Sequence, residues 1–177
     1  KNINLAIEAF ASVLQESSDP SSLHLVVAGG YDPLLNENVD HLKELKDLAQ
    51  KLGLDDQKIT FLVSIADDLK LTLLYNCIAV IYTPSNEHFG IVPIEAMYCR
   101  KPVVAVNSGG PTESVLQGET GFLCDPTNDS FGEAMTRLSE QPESAQEMGE
   151  KGHEWVKRRF SLSSFSQQLE SSLLSLV

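Results

Sequence analysis

The chain has 177 residues, of which 42% are hydrophobic and 21% are charged, and its formal net charge at pH 7 is -12. This length and composition predict one globular domain with a well-buried core. The acidic balance argues against a nucleic-acid partner, although a few backbone amides could still hold a small phosphorylated ligand.

Helical and strand patterns alternate along the chain. In chain order, the spacing of apolar residues and the turn signals predict a helix over 3–16, a strand over 23–28, a helix over 36–52, a strand over 59–63, a helix over 67–76, a strand over 77–83, a helix over 90–99, a strand over 102–106, a short helix near 110–117, a strand over 121–124 and a helical tail from about 129 to 177. Short β-branched runs between helices are typical of βαβ units, so we expect a parallel sheet with helices on both faces.

The cysteines and histidines predict neither a disulfide framework nor a metal site. The three cysteines are widely spaced in apolar surroundings, which favours reduced core thiols, and the four histidines show no metal-ligand spacing. The sequence contains no signal-peptide pattern and no apolar run long enough to span a bilayer. Because it opens directly on a helical pattern, we expect it to be a piece of a longer protein.

Polar and turn-forming residues gather in the four loops that leave the strands, at 29–33, 64–67, 83–90 and 107–111. In an open parallel sheet, ligands bind outside the carboxyl ends of the strands, and those ends share one edge. We therefore expect these four loops to converge on one ligand-binding edge.

The stretch HFGIVPI, which follows the third predicted strand, has the pattern of an anion-binding helix start. If the helix begins near Gly90, the amides of Gly90, Ile91 and Val92 have no partner inside it. Pro93 fits the first turn, where a missing N–H matters little. Open amides at the positive end of a helix dipole bind anions, so this segment predicts a phosphate site.

Two glutamates bracket that predicted phosphate site. Glu87 and Glu95 are eight residues apart, which on one helix would separate them by roughly 80° and about 12 Å. They would not meet that way, so we expect Glu87 in the loop and Glu95 just inside the helix. Carboxylates there would repel phosphate but accept hydrogen bonds from hydroxyls, as a ribose and a hexose joined by a diphosphate would offer. The alternative is a helix glutamate that stabilises the dipole and a solvated loop glutamate.

These residues also carry a family resemblance. SNEHFGIVPIEAM resembles the E-x7-E segment of the retaining glycosyltransferases of the GT-B fold, family 4, and VVAGGYD, KPVVAVNSGGPTESV and GETGFLCDP follow the family's order and spacing. Lys1-Asn2 resembles the family's Lys-Gly or Lys-Asn pair. More narrowly, YTPSNEHFGIVPIEAMY and AVNSGGPTESV resemble the eukaryotic α-1,3-mannosyltransferases that use GDP-mannose and dolichol-linked oligosaccharides.

The resemblance implies a fold and a set of donor contacts. Residues 1–177 would form the Rossmann-like, three-layer α/β/α donor-binding domain, the C-terminal half of a GT-B enzyme, with the helical tail included. Glu95 would bind the ribose hydroxyls, and Glu87 would contact the hexose as the catalytic residue. The amides of Ile91 and Val92, with Lys1, would hold the diphosphate.

Two further groups of contacts are implied by the same resemblance. The backbone of His88, Phe89 and Gly90 would face the sugar. The base would lie against the loop after the 59–63 strand, near Ser64, Ile65 and Lys70. The sequence departs from the family's pattern in three respects. We find in it neither the family's diphosphate-binding arginine, nor the first strand of the donor domain, nor the N-terminal acceptor domain. At Val63 many members have glycine, which bears on the details of the base contact.

The implied activity is retaining transfer of α-mannose from GDP-mannose to a lipid-linked oligosaccharide, on the cytoplasmic side of the endoplasmic reticulum, or otherwise in the cytoplasm. No cofactor and no metal are expected, because amides and a cation would stabilise the departing diphosphate. Alone, the chain should bind nucleotide weakly and transfer nothing, and it should meet a membrane only through the full-length protein. Two alternatives remain: a family member that uses another donor such as UDP-glucose, and a non-catalytic α/β interaction module.

Several other residues have ordinary structural interpretations. Arg100 and Lys101 precede a strand, on the edge opposite the predicted site, and are expected to be surface charges. Gly109 and Gly110 could approach the donor, but we expect them to form a turn. Trp155 is expected to anchor the packing of the tail.

Overall fold

The computed structural model describes residues 2–175 and contains five strands and eight α-helices within that range. In chain order they are α1 (Ile3–Glu16), β1 (Leu25–Gly29), α2 (Asn36–Lys51), β2 (Ile59–Val63), α3 (Asp67–Asn76), β3 (Val80–Tyr82), α4 (Ile91–Tyr98), β4 (Val103–Val106), α5 (Pro111–Ser114), β5 (Gly121–Cys124), α6 (Asn128–Glu140), α7 (Pro142–Phe160) and α8 (Leu162–Leu174). A short 3-10 turn over Pro20–Ser22 precedes β1. The predicted order of helices and strands is confirmed.

Two predicted elements have about half their predicted length in the structure, whereas the bounds of the other strands and of the helices before the tail differ by at most two residues. The strand predicted over 77–83 begins only at Val80, because Cys77 caps the preceding helix: its amide donates to the Leu73 carbonyl at 3.0 Å. The helix predicted near 110–117 ends at Ser114, since Val115 turns to an extended conformation and is only 2% exposed in the core. In both places tertiary burial and helix capping override the local apolar pattern.

The strands are all parallel, as predicted, but among the described residues they form two hydrogen-bonded groups and not one sheet. One group is β1–β2, with Leu25 opposite Ile59, and the other is β3–β4–β5, with Val103 between Val80 and Gly121. Among the described residues, no strand pairs with members of both groups.

Helix α1 joins the two strand groups through its buried side chains. Leu5 and Ala9 belong to the cluster around β4, β5 and α6. Ile7 and Phe10 belong to the cluster around β1, β2 and α2. Apolar residues therefore emerge on two neighbouring faces of one helix, and their burial is worth on the order of 1.5–3 kcal/mol for each large side chain.

The cysteines are free thiols, as predicted. Cys99 and Cys124 are buried and Cys77 is half-buried. Burial is the main reason why the pKa of each thiol is raised, so these residues are neutral at physiological pH.

The helical tail packs back on the domain and then leaves it. Helix α6 lies against α1, and α7 lies against α4. Helix α8 buries none of its residues and exposes several leucines together with Phe165. Within residues 2–175, no helix combines the length and the apolar character that a membrane crossing needs.

Candidate functional site

The first two of the four predicted loops contact each other at the carboxyl ends of β1 and β2. The Ser64 amide donates to the Gly29 carbonyl at 2.8 Å. The Ser64 hydroxyl donates to the Tyr31 carbonyl at 2.9 Å and accepts from the Tyr31 amide at 3.1 Å. Ser64 has a left-handed φ of 48°, so its side chain fastens the two loops together at a sharp turn. Ile65 beside it is half-buried.

The other two loops contact each other at the ends of β3 and β4. The Gly110 amide donates to the Glu87 carbonyl at 2.8 Å, and the Asn86 amide donates to the Ser108 hydroxyl at 3.0 Å. A side chain at Gly109 or Gly110 would collide with backbone, at Glu87 and at Phe89 respectively. The glycines therefore do more than form a turn: they allow the backbone of the Glu87 loop to lie directly on theirs.

Gly110→Ala should destabilise this contact. The added methyl would overlap the Phe89 backbone, and overpacking of this kind typically costs about 1–3 kcal/mol. Gly132→Ala is the control, because its nearest neighbour would be 3.9 Å away and alanine is favoured over glycine in a helix by about 1 kcal/mol. Thermal unfolding should show a lower midpoint for the first variant and an equal or higher one for the second. Equal midpoints for Gly110→Ala and the unchanged chain would contradict the tight backbone contact.

The helix after β3 begins where the sequence predicts. Its first residue is Ile91, and Gly90 precedes it with a φ of 72° and no side-chain cap. No residue of the described range accepts a hydrogen bond from the Gly90, Ile91 or Val92 amide. A methyl at Gly90 would meet the Tyr82 hydroxyl at 2.6 Å, so glycine is required both by the backbone angle and by the space. The result is an open set of amides at a helix N-terminus.

Glu87 lies in the loop before that helix, as predicted, and its side chain is half-buried. Its carboxylate lies beside Tyr82, which is 8% exposed at the end of β3. Burial is the first cause of a raised pKa at Tyr82, and the Glu87 charge is the second. Tyr82 is thus a neutral phenol next to the carboxylate. Sequence reasoning treated Tyr82 only as a strand residue; its place as the last residue of a strand, at the ligand edge, was the available signal.

Glu95 lies in the second turn of α4 and pairs with Lys70 of α3. Lys70 Nζ is 2.7 Å from Glu95 Oε1, and the two side chains are 39% and 31% exposed. The other carboxylate oxygen, Oε2, is buried and has no hydrogen-bond partner within the described range. The ion pair connects the helix that follows the β2 loop with the helix that follows the β3 loop, so it links the two pairs of converging loops.

A groove of about 270 Å³ borders Glu95, between α4 and the junction of α7 with α8. Most of its lining is apolar and includes Ile91, Ile94 and Phe160. Glu87 does not line this groove. The two glutamates therefore have different neighbours in the structure, Tyr82 for Glu87 and Lys70 for Glu95. In the sequence they lie on either side of the open amides.

Three residues predicted to contact the donor remain, His88, Phe89 and Lys1. His88 is exposed. Phe89 is 43% exposed, and its ring lies edge-on to Phe160, 5.9 Å away between ring centres. The helical tail thus reaches the predicted sugar-facing loop. Lys1 lies outside the described residues.

Arg100 and Trp155, which were expected to have structural roles, make structural contacts. Arg100 Nε lies 2.9 Å from Glu150 of α7, at the start of β4 and away from the converging loops. Trp155 Nε1 donates to the Ser114 carbonyl at 2.9 Å and packs on Phe160. Among residues 2–175, no group of three or more potential metal ligands comes together. That finding does not test metal independence, which stays a prediction.

Comparison with known proteins identifies the family to which the chain is similar. Residues 1–155 match the family model described as glycosyl transferases group 1. The chain is 48% identical over 171 residues to the human alpha-1,3/1,6-mannosyltransferase ALG2 and 45% identical over 177 residues to its Dictyostelium discoideum counterpart. Those alignments cover 96% and 97% of this chain but only 41% and 42% of the relatives. The chain therefore spans less than half the length of these curated relatives.

Solved structures agree on the fold, because the structural neighbours are GT-B glycosyltransferases. HepE from Anabaena, solved in complex with UDP and glucose, is 28% identical with a TM-score of 0.78, covering 94% of this chain and 44% of that one. Sucrose-phosphate synthase from Thermosynechococcus elongatus is 27% identical with a TM-score of 0.76, covering 96% of this chain and 42% of that one. The Rossmann-like α/β fold with parallel strands is confirmed. The chain belongs to the group 1 glycosyl transferases.

Proposed function

We propose that this chain binds the nucleotide-sugar donor of a hexosyltransferase. The observation that carries the proposal is the start of α4, where the open amides of Ile91 and Val92 follow Gly90. Such amides, with the positive end of the helix dipole, stabilise a diphosphate. The half-buried Glu87 precedes them, and Glu95, with one unpartnered oxygen, follows them. Both carboxylates are suited to hydroxyl groups.

The donor that we favour is GDP-mannose, for retaining transfer of α-mannose to a lipid-linked oligosaccharide. The support is the likeness to relatives named alpha-1,3/1,6-mannosyltransferase, at 45% and 48% identity. In this scheme Glu95 holds the ribose and Glu87 contacts the hexose. The amides of Ile91 and Val92 take up the charge of the departing diphosphate, which is electrostatic stabilisation without a metal.

The acceptor hydroxyl would come from a part of the polypeptide beyond this chain. The relatives are more than twice as long as the aligned region. The division of the strands into two hydrogen-bonded groups leaves edges that no described strand pairs, to which a strand from the rest of the polypeptide would pair. We place the full-length protein at the cytoplasmic face of the endoplasmic reticulum membrane. The isolated chain should bind nucleotide and transfer no sugar.

A nucleotide titration tests this function. We expect calorimetry to show that GDP and GDP-mannose bind. UDP and UDP-glucose should bind more weakly by about tenfold or more, because polar groups left unpaired around the wrong base weaken binding by about 1–3 kcal/mol. Tighter binding of UDP would instead favour a UDP-sugar donor, an alternative supported by the likeness to HepE, which was solved with UDP and glucose. Absence of binding by all four would favour a non-catalytic module.

A further inference from the structure

Lys70 and Glu95 form the one ion pair of the described residues that joins two helices at the converging loops. Lys70 is the fourth residue of α3, which has only one buried residue, Leu74. Glu95 is the fifth residue of α4. A direct 2.7 Å contact between Lys70 Nζ and Glu95 Oε1 connects α3 to α4 at this edge, in addition to the apolar cluster that contains Leu74.

The two carboxylate oxygens of Glu95 have different environments. Oε1 accepts from Lys70, whereas Oε2 is buried and lacks a donor within residues 2–175. A buried acceptor without a partner is unfavourable, so the orientation of this carboxylate depends on the Lys70 contact at Oε1. Both side chains remain about one-third exposed, so a ligand can approach the accessible side of the ion pair, whereas Oε2 is closed to it.

The surroundings of the pair do not supply another partner for the carboxylate. Cys99, which follows the last residue of α4, is near both Glu95 and Lys70, but its thiol is buried and neutral because burial raises its pKa. A neutral thiol is a weak donor. Lys70 is therefore the group that holds the carboxylate in one orientation.

We propose that Lys70 is a positioning residue for Glu95: by pairing with Oε1, it holds the carboxylate of this partly exposed side chain in one orientation for a ribose hydroxyl. This rests on the proposed function and deepens it by assigning the lysine a role different from contact with the base. A flexible carboxylate would lose rotational freedom when the nucleotide binds. A carboxylate already held by an ion pair does not, so the entropic cost of binding is smaller. The lysine itself does not touch the nucleotide.

The experiment compares nucleotides with and without ribose hydroxyls. GDP and 2′,3′-dideoxy-GDP are titrated by calorimetry against the unchanged chain and against Lys70→Gln, Lys70→Arg and Glu95→Gln, with the UDP pair in parallel. Lys46→Gln, an exposed lysine on α2, is the matched control. Circular dichroism and the unfolding midpoint verify folding, and Lys70→Met replaces the glutamine variant if that variant does not fold.

We expect the unchanged chain to prefer the ribonucleotide by about tenfold or more, the effect of a hydrogen bond to a charged group. Lys70→Gln should lose most of that preference by weakening the ribonucleotide alone, as Glu95→Gln should, whereas Lys70→Arg should retain most of it. Equal weakening of both nucleotides in Lys70→Gln would overturn the inference, since it would place the lysine on the phosphate or the base. An unchanged preference would overturn it too. If no nucleotide binds the unchanged chain, the proposed function fails and the inference fails with it.

Discussion

Replacement of Glu95 by alanine should weaken the binding of GDP to this chain by about 10- to 100-fold, because a hydrogen bond to an ionised group contributes roughly 1.5–3 kcal/mol. The Glu95 side chain is 31% exposed, and its carboxylate is the proposed acceptor for a ribose hydroxyl. The variant also leaves Lys70 without its carboxylate. Calorimetry with GDP measures the effect, and circular dichroism verifies that the fold persists.

Glu133→Ala is the control for the Glu95 variant. Glu133 is an exposed helical glutamate on α6, remote from the converging loops in sequence and outside the groove beside α4. It should bind GDP as the unchanged chain does. Unaltered GDP binding by a folded Glu95→Ala variant would mean that this carboxylate only supports the helix start.

Replacement of Glu87 by glutamine should slow sugar transfer by the full-length polypeptide by about 100- to 1,000-fold, the range seen when one stabilising group of a preorganised site is removed. Glutamine has nearly the same shape but no charge. The half-buried carboxylate lies beside the neutral Tyr82 hydroxyl, so the change removes a charge from a site with restricted access to water. GDP binding by the isolated chain should stay within about twofold, because Glu87 is assigned to the sugar and not to the ribose.

Transfer from GDP-mannose to a lipid-linked acceptor is the measurement for the Glu87 variant. Glu113→Gln supplies the comparison, since Glu113 is exposed in the first turn of α5, close in sequence to the converging loop at 107–111. Its transfer rate should be unchanged. If Glu87→Gln transfers mannose at the normal rate, the role assigned to this carboxylate is wrong.

Local patterns predicted most of the fold because they are decided within a few residues. The helix over 67–76 and the strand over 59–63 occur with the predicted bounds, since helix and strand periods and turn residues are local signals. The strand predicted over 77–83 and the helix near 110–117 were too long, because Cys77 closes a helix and Val115 is taken into the core. The single sheet expected from the pattern is two hydrogen-bonded groups here, since strand pairing depends on partners that periodicity does not specify.

The candidate site was predictable in part for the same reason. Gly90 and Pro93 mark a helix start, so the open amides followed from sequence, and the structure begins α4 at Ile91. The 2.7 Å contact of Lys70 with Glu95 joins residues 25 positions apart and has no local signature. The same is true of Tyr82 beside Glu87 and of Gly110 against the Phe89 backbone.

The sequence by itself determined the order of helices and strands, the place of Glu87 and Glu95 on either side of a helix start, and the membership of the chain in a glycosyltransferase family. Only the tertiary structure decided which groups those carboxylates meet, where the sheet is interrupted and why the glycines at 109 and 110 have no room for a side chain. The physical reason is range: capping, turns and periodicity act between neighbours in the chain, whereas ion pairs, close backbone contacts and strand pairing form between segments that folding brings together.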